Sequence, residues 1–285
     1  MRDFLNFSDL GGDFDSDLAC ERRRADTSVS GVDYRKEITA GGVWERIGIT
    51  SDEGARSIGR PMGRYDTLTL ERMDLMDCGG IADAAEEIAV ELCRLVDGLD
   101  VYPERLLVVG LGNSELTPDS VGPKSADGIN ATLHIRETDA ACFSALECSA
   151  IAVLCPGVSA KSGMDAAKTV SAICRAIHPD AVIAIDALSA RSPSRLGRTI
   201  QLSDTGIFPG SGIGNPRGAI TKETVGAPVI AIGVPTVIDA RRLSGDECDL
   251  RGEAMFVSPK EINGIVNAAA RIISGGINQA FGIEI

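Results

Sequence analysis

The chain has 285 residues, with 41 Asp or Glu against 28 Lys or Arg, a formal net charge of −13. Hydrophobic residues make up 44% and charged residues 24%, ordinary globular usage that excludes a disordered or collagen-like chain. Aromatic residues are only 4%, and together with the negative charge this argues against a protein that grips or stacks on nucleic acid.

A chain of this length can bury a sizeable core. No run of about 18 apolar residues occurs, so no transmembrane helix and no membrane partner are expected. The start, MRDFLNFSDLGGDFDSDLACERRR, lacks the basic opening and apolar stretch of a secretory signal. The cysteines (Cys20, Cys78, Cys93, Cys142, Cys148, Cys155, Cys174 and Cys248) contain no C-x-x-C pair. Reduced cytoplasmic thiols are expected, with no metal knuckle. The histidines are only His134 and His178, which leaves little for a His-rich metal site or a Ser-His-Asp triad.

In chain order, residues 1–17 are acidic and glycine-containing and read as a leader. Residues 18–285 read as one domain, with 18–75, a mixture of charge and glycine, allowed as a peripheral flap. Ile81, Ala85, Ile88, Leu92 and Leu95 recur at helical spacing and predict a helix over 80–97. Leu106–Gly110 and Ala150–Cys155 are short, continuously apolar runs that predict strands. A helix is expected over 163–177, stopped by His178-Pro179-Asp180. Further strands are expected at Ala181–Ile185, Thr199–Leu202, and Pro228–Ile232 with Val234–Ile238. Ser258-Pro259-Lys260-Glu261 reads as a capping box that opens a last helix over 259–274.

Strands without alternation, separated by helices, imply a sheet covered on both faces. The expectation is an α/β fold of phosphorylase/hydrolase-like type, three layers α/β/α with a mainly parallel central sheet. Sites in such folds lie beyond the carboxyl ends of the strands. Asp119, Asp186, Asp204 and Asp239 all follow predicted strands, and Thr236 lies in the last of them.

Asp119 and Asp186 form the strongest pair. Two close carboxylates cannot both ionise freely, so one holds a proton and the other acts as base. Such a pair can activate a water against an amide and protonate the leaving nitrogen. Three other readings are weaker. Gly110-Leu111-Gly112-Asn113 begins like a dinucleotide fingerprint, but Glu115 stands at the third glycine. Asp204-Thr205-Gly206 resembles a pepsin-type motif, yet only one copy occurs, in an α/β setting. The loop Pro209-Gly210-Ser211-Gly212-Ile213-Gly214-Asn215 is a tight turn or an anion-binding nest. Asp204, Ser211 and Asn215 are therefore supporting or oxyanion-side candidates.

The blocks GLGN-x4-PD-x-x-GP, PGV-x-x-x-SGMDAA, PDAVIAIDALSAR, TIQLSDTGIFPGSGIGNPRGAI, TKETVGAPVIAIGVPTVIDA and MFVSPKEI resemble the germination proteases of endospore-forming bacteria. The resemblance runs from about residue 14 to 281. It implies a homotetrameric, unusual aspartic peptidase of the spore core, with a fold related to hydrogenase maturation proteases. The implied substrates are small acid-soluble spore proteins, and no cofactor is implied. It also implies that Asp119 and Asp186 are the catalytic aspartates. Such proteases are made as zymogens that cut a T-D-L-A-V-E-like sequence between Asp and Leu. The corresponding residues are Ser16-Asp17-Leu18-Ala19-Cys20-Glu21, so the implied cut is Asp17–Leu18, with Cys20 departing from Val. Two alternatives remain at this level: a metal-dependent maturation-type protease, and a peptide-binding protein without activity.

Overall fold

A computed structural model describes residues 16–22, 29–99, 102–209, 218–243 and 255–282. The strands, in chain order, are β1 (Val32–Ile38), β2 (Val43–Ile49), β3 (Gly63–Thr69), β4 (Arg105–Gly110), β5 (Ala150–Leu154), β6 (Ala181–Ala190), β7 (Thr199–Ser203), β8 (Val229–Asp239) and β9 (Phe256–Val257). They form one sheet in the order β1-β2-β3-β7-β8-β6-β4-β5, with β9 pairing to β8.

The fold is α/β, with helices on both faces of the central sheet. Alternate residues of the same strands are buried on opposite sides. On one side the helices Cys78–Val96 and Ile262–Phe281 bring Ile88, Leu92, Val266 and Ile273 into a core with Val108, Ile183 and Ile232. On the other, Val170 and Cys174 of the helix Ala166–Ile177 join Leu107, Val109, Val182 and Ala184. Burial on both faces explains the continuous apolar runs.

The sheet is mixed rather than mainly parallel. β4, β5, β6 and β8 are mutually parallel. β7 runs antiparallel to both β8 and β3, and β1–β3 continue from it as an antiparallel wing. These wing strands mix polar and apolar residues without regular alternation and carry many charges, as in Val32–Ile38, VDYRKEI. That pattern suits an edge facing water and hides the strands in a charged stretch of sequence. Their inner side has its own small core of Ile47, Ile49 and Tyr65 with Ala55, Ile58 and Ala19.

The last helix also departs from expectation. Pro259–Ile262 forms a turn, and the helix runs from Ile262 to Phe281. Gly275 and Gly276 lie inside this helix, beyond the expected end at 274. In the fold these glycines admit the helix Cys78–Val96, and a Cβ on Gly276 would meet Ile88 Cγ2 at 2.6 Å.

Candidate active site

The loop after β4 is tied to the strand that carries Asp186. Leu111 N–H donates to the Ile185 carbonyl at 2.8 Å. Gly112 then adopts φ +111°, and a Cβ there would lie 2.0 Å from the Asp119 carbonyl oxygen. Only glycine fits both demands. The next residue, Asn113, donates its N–H to Asp119 Oδ2 at 2.8 Å. Asp119 ends the turn Thr117–Asp119, closed by its own N–H on the Leu116 carbonyl at 2.8 Å. Gly122 follows, where a Cβ would meet the Leu111 carbonyl oxygen at 2.2 Å. The glycine-rich stretch thus serves close backbone approach and fixes Asp119 over the end of β4.

Asp186 lies within β6, not past its end. The strand continues to Ala190 because residues 186–190 keep pairing with β8, Asp186 opposite Gly233. Its side chain is buried, and Oδ1 accepts the Ala187 N–H at 2.9 Å. Asp119 and Asp186 line one cleft of about 290 Å³, together with Leu111, Ala187, Ser189, Thr236 and Phe256.

Asp17 lines the same cleft. Its N–H donates to the Ser189 carbonyl at 2.9 Å, and Ser189 N–H donates to Asp17 Oδ2 at 2.9 Å. Asp17 Oδ1 pairs with Arg60 at 3.4 Å, and Arg60 also donates to the Ser16 carbonyl at 2.9 Å. Gln201, a polar residue inside β7, spans the Asp17–Leu18 peptide. Its Nε2 donates to the Asp17 carbonyl at 3.1 Å, and its Oε1 accepts the Ala19 N–H at 2.8 Å. Leu18 and Ala19 are fully buried. Glu21 accepts the N–H groups of Arg191 at 2.6 Å and Ser192 at 2.8 Å. Burial pushes the neighbouring Cys20 thiol up to about 11, so at neutral pH it is a small apolar filler.

Residues 15–251 match the sequence profile described as germination protease. The chain belongs to the germination protease family. A germination protease of Clostridium perfringens is 33% identical over 312 residues, covering 93% of this chain and 94% of that one. One from Caldanaerobacter subterraneus is 34% identical over 306 residues, covering 93% of each. One from Priestia megaterium is 38% identical over 224 residues, covering 78% of this chain and 60% of that one. A solved [NiFe] hydrogenase maturation protease of Thermococcus kodakarensis overlaps with a TM-score of 0.31 and 18% identity, over 60% of this chain and 91% of that one. That overlap is too slight to carry inference. Family membership makes the chain a protease, a hydrolase of spore germination.

The remaining candidates lie elsewhere. Asp204 is not in the cleft. β7 runs opposite to β6 and β8, so the residue after it falls toward the other edge of the sheet. There Asp204 Oδ1 accepts the Arg64 N–H at 2.7 Å, in a separate pocket with Arg46, Glu91 and Arg94. Burial raises its carboxyl above the usual range, although the Arg64 N–H opposes this. Ser211 and Asn215 lie outside the described residues. Asp239 caps a short turn and pairs with Arg241. His134 sits on the helix Leu133–Thr138 and His178 ends the helix Ala166–Ile177; neither lines the cleft. Among the described residues, no three His, Cys, Asp or Glu side chains are grouped to hold a metal. No helix among them is long and apolar enough to cross a membrane.

Sequence reading missed Arg60 and Gln201. Gln201 had a signal, a long polar residue within the predicted strand Thr199–Leu202. Arg60 had none, being one arginine among many in a charged stretch.

Proposed function

We propose that this chain is an aspartic-type endopeptidase zymogen. Asp119 and Asp186 share one proton and activate one water between them. The chain first removes its own leader between Asp17 and Leu18. It then degrades small acid-soluble spore proteins in the spore core, as a homotetramer. The observation that carries this reading is that Asp17 lines the same cleft as Asp119 and Asp186.

The chemistry needs no cofactor. The water oxygen attacks the carbonyl carbon of residue 17 while one carboxylate takes its proton. The other carboxylate gives its proton to the nitrogen of residue 18, and the C–N bond breaks. Gln201 already donates to the oxygen that gains negative charge, so its hydrogen bond strengthens as the reaction proceeds. Arg60 and the Ser189 N–H hold the acidic side chain before the cut, and the 191–192 amides hold Glu21 after it. A substrate with the same pattern of acids would bind in the place the leader junction now occupies.

The test is a cut in trans. Leader-free protein is given a peptide that spans Ser16 to Arg22, and the products are weighed. The proposal expects a single cut after Asp. Tight binding without turnover would instead favour a peptide-binding protein. A cut that requires an added metal ion would favour the metal-dependent alternative.

A further inference from the structure

The turn Asp204-Thr205-Gly206 lies outside the cleft, yet it grips the segment that carries Arg60. Asp204 Oδ1 accepts the Arg64 N–H at 2.7 Å. Thr205 Oγ1 donates to the Tyr65 hydroxyl at 3.1 Å. That hydroxyl in turn donates to the Pro61 carbonyl at 3.0 Å. Gly63 lets the turn come this close: a Cβ there would meet Thr205 Cγ2 at 2.3 Å and Asp204 Oδ1 at 2.4 Å.

A helix fixes the other end of the segment. Asp52–Ile58 ends at Gly59 in the left-handed region, φ +68°, and the Arg60 N–H donates to the Ala55 carbonyl at 3.2 Å. Arg60-Pro61 is thus held on both sides, by the Arg60 amide and by the Pro61 carbonyl. From there the guanidinium reaches the Ser16 carbonyl at 2.9 Å and Asp17 Oδ1 at 3.4 Å. Arg60, Pro61, Tyr65 and Thr205 line one cavity of about 40 Å³ with Asp17 and Gln201. Tyr65 is only 3% exposed. A phenylalanine would fill its place without burying a hydroxyl, which is costly unless hydrogen-bonded. The hydroxyl accepts one hydrogen bond and donates one, and so links Thr205 to the backbone beside Arg60.

We infer that Arg60 selects the acid before the cut, and that Tyr65 and the Asp204-Thr205-Gly206 turn are its positioning residues. A guanidinium binds a carboxylate by charge-assisted hydrogen bonds, which are stronger than neutral ones and geometrically specific. A long side chain on a loose backbone must first be ordered, at a cost in conformational entropy. Fixing the backbone at Ala55 and at Pro61 lowers that cost before the acid arrives. Asparagine at position 17 has the shape of aspartate without its charge, so it measures selection by charge alone. The inference rests on the proposed self-cleavage.

The experiment follows leader loss by mass spectrometry in full-length protein, with thermal unfolding as the check on folding. Wild type, Arg60→Leu, Tyr65→Phe, Thr205→Val and Thr205→Ser are each made with and without Asp17→Asn. In the wild-type background Asp17→Asn should process roughly 10–10²-fold more slowly, the worth of a hydrogen bond to a charged group. Arg60→Leu should remove that difference. Tyr65→Phe and Thr205→Val should shrink it, and Thr205→Ser should keep it. A merely structural loss would slow both members of a pair equally and leave the difference whole. That outcome in Tyr65→Phe and Thr205→Val overturns the positioning role. If Tyr65→Phe does not fold, the two Thr205 variants decide. A full difference in Arg60→Leu overturns the selection itself. Asp186→Asn runs alongside, and processing by that variant overturns the aspartate pair, whatever the Arg60 comparison shows. A wild-type chain that keeps its leader overturns the proposed self-cleavage and the selection with it.

Discussion

Asp17 and Ser189 hold each other twice, through Asp17 N–H on the Ser189 carbonyl and Ser189 N–H on Asp17 Oδ2, each at 2.9 Å. Ser189 lies on the same strand as Asp186. The bond between residues 17 and 18 is therefore docked on the strand that supplies one of the two aspartates. The first prediction concerns the other partners of this junction.

Arg60 and the Asp17 side chain are both largely buried. Removing one partner of such a pair leaves a buried charge. Arg60→Leu and Asp17→Asn should each lower stability. The double variant should recover part of the loss, with a coupling of about 0.5–3 kcal/mol in a thermal unfolding cycle. Simple additivity would show that the pair is not energetically linked.

Gln201→Leu should slow leader removal by about 10²-fold, the loss seen when one oxyanion donor is removed. The rate of appearance of a chain beginning at Leu18 is the readout. A wild-type rate would show that Gln201 only packs β7 against the leader junction.

Gly112→Ala tests the placement of Asp119. The substitution adds strain of about 1–3 kcal/mol at φ +111° and a clash with the Asp119 carbonyl oxygen. Both thermal stability and processing should fall. An active, unshifted Gly112→Ala protein would mean that the loop after β4 does not need this conformation.

A pH effect follows from the wing of the sheet. Asp66 and Glu91 are both buried beside the Arg46 guanidinium, which lies 3.9 Å from Asp66 Oδ1 and also bonds Glu91. Burial first, and then the Glu91 charge, push Asp66 from 3.8 to about 7. The folded protein keeps a proton that the unfolded chain has already lost. Stability from this group is fully present below about 3.8 and is lost as pH rises through about 7. The melting temperature should therefore fall between pH 5 and pH 8, and Asp66→Asn should flatten that slope. An equal slope in the variant would contradict the assignment.

The parallel part of the fold was legible because its strands are buried on both faces, and continuous apolar runs such as Leu106–Gly110 record that. The antiparallel wing was not, because its strands mix buried and exposed positions among charges. Direction is not written in a short run, and Thr199–Ser203 gives no sign that it opposes its neighbours. That error misplaced Asp204 and had no effect on Asp119, which follows the parallel strand β4, or on Asp186, which lies within the parallel strand β6. Arg60 and Gln201 act through contacts across 43 and 184 residues of sequence, which no local pattern encodes.

The central claim is tested most directly by weighing full-length wild type, Asp119→Asn and Asp186→Asn before and after incubation in mild acid. The account predicts loss of Met1–Asp17 from wild type and from neither variant. Loss of the same segment from either variant at the wild-type rate would contradict it.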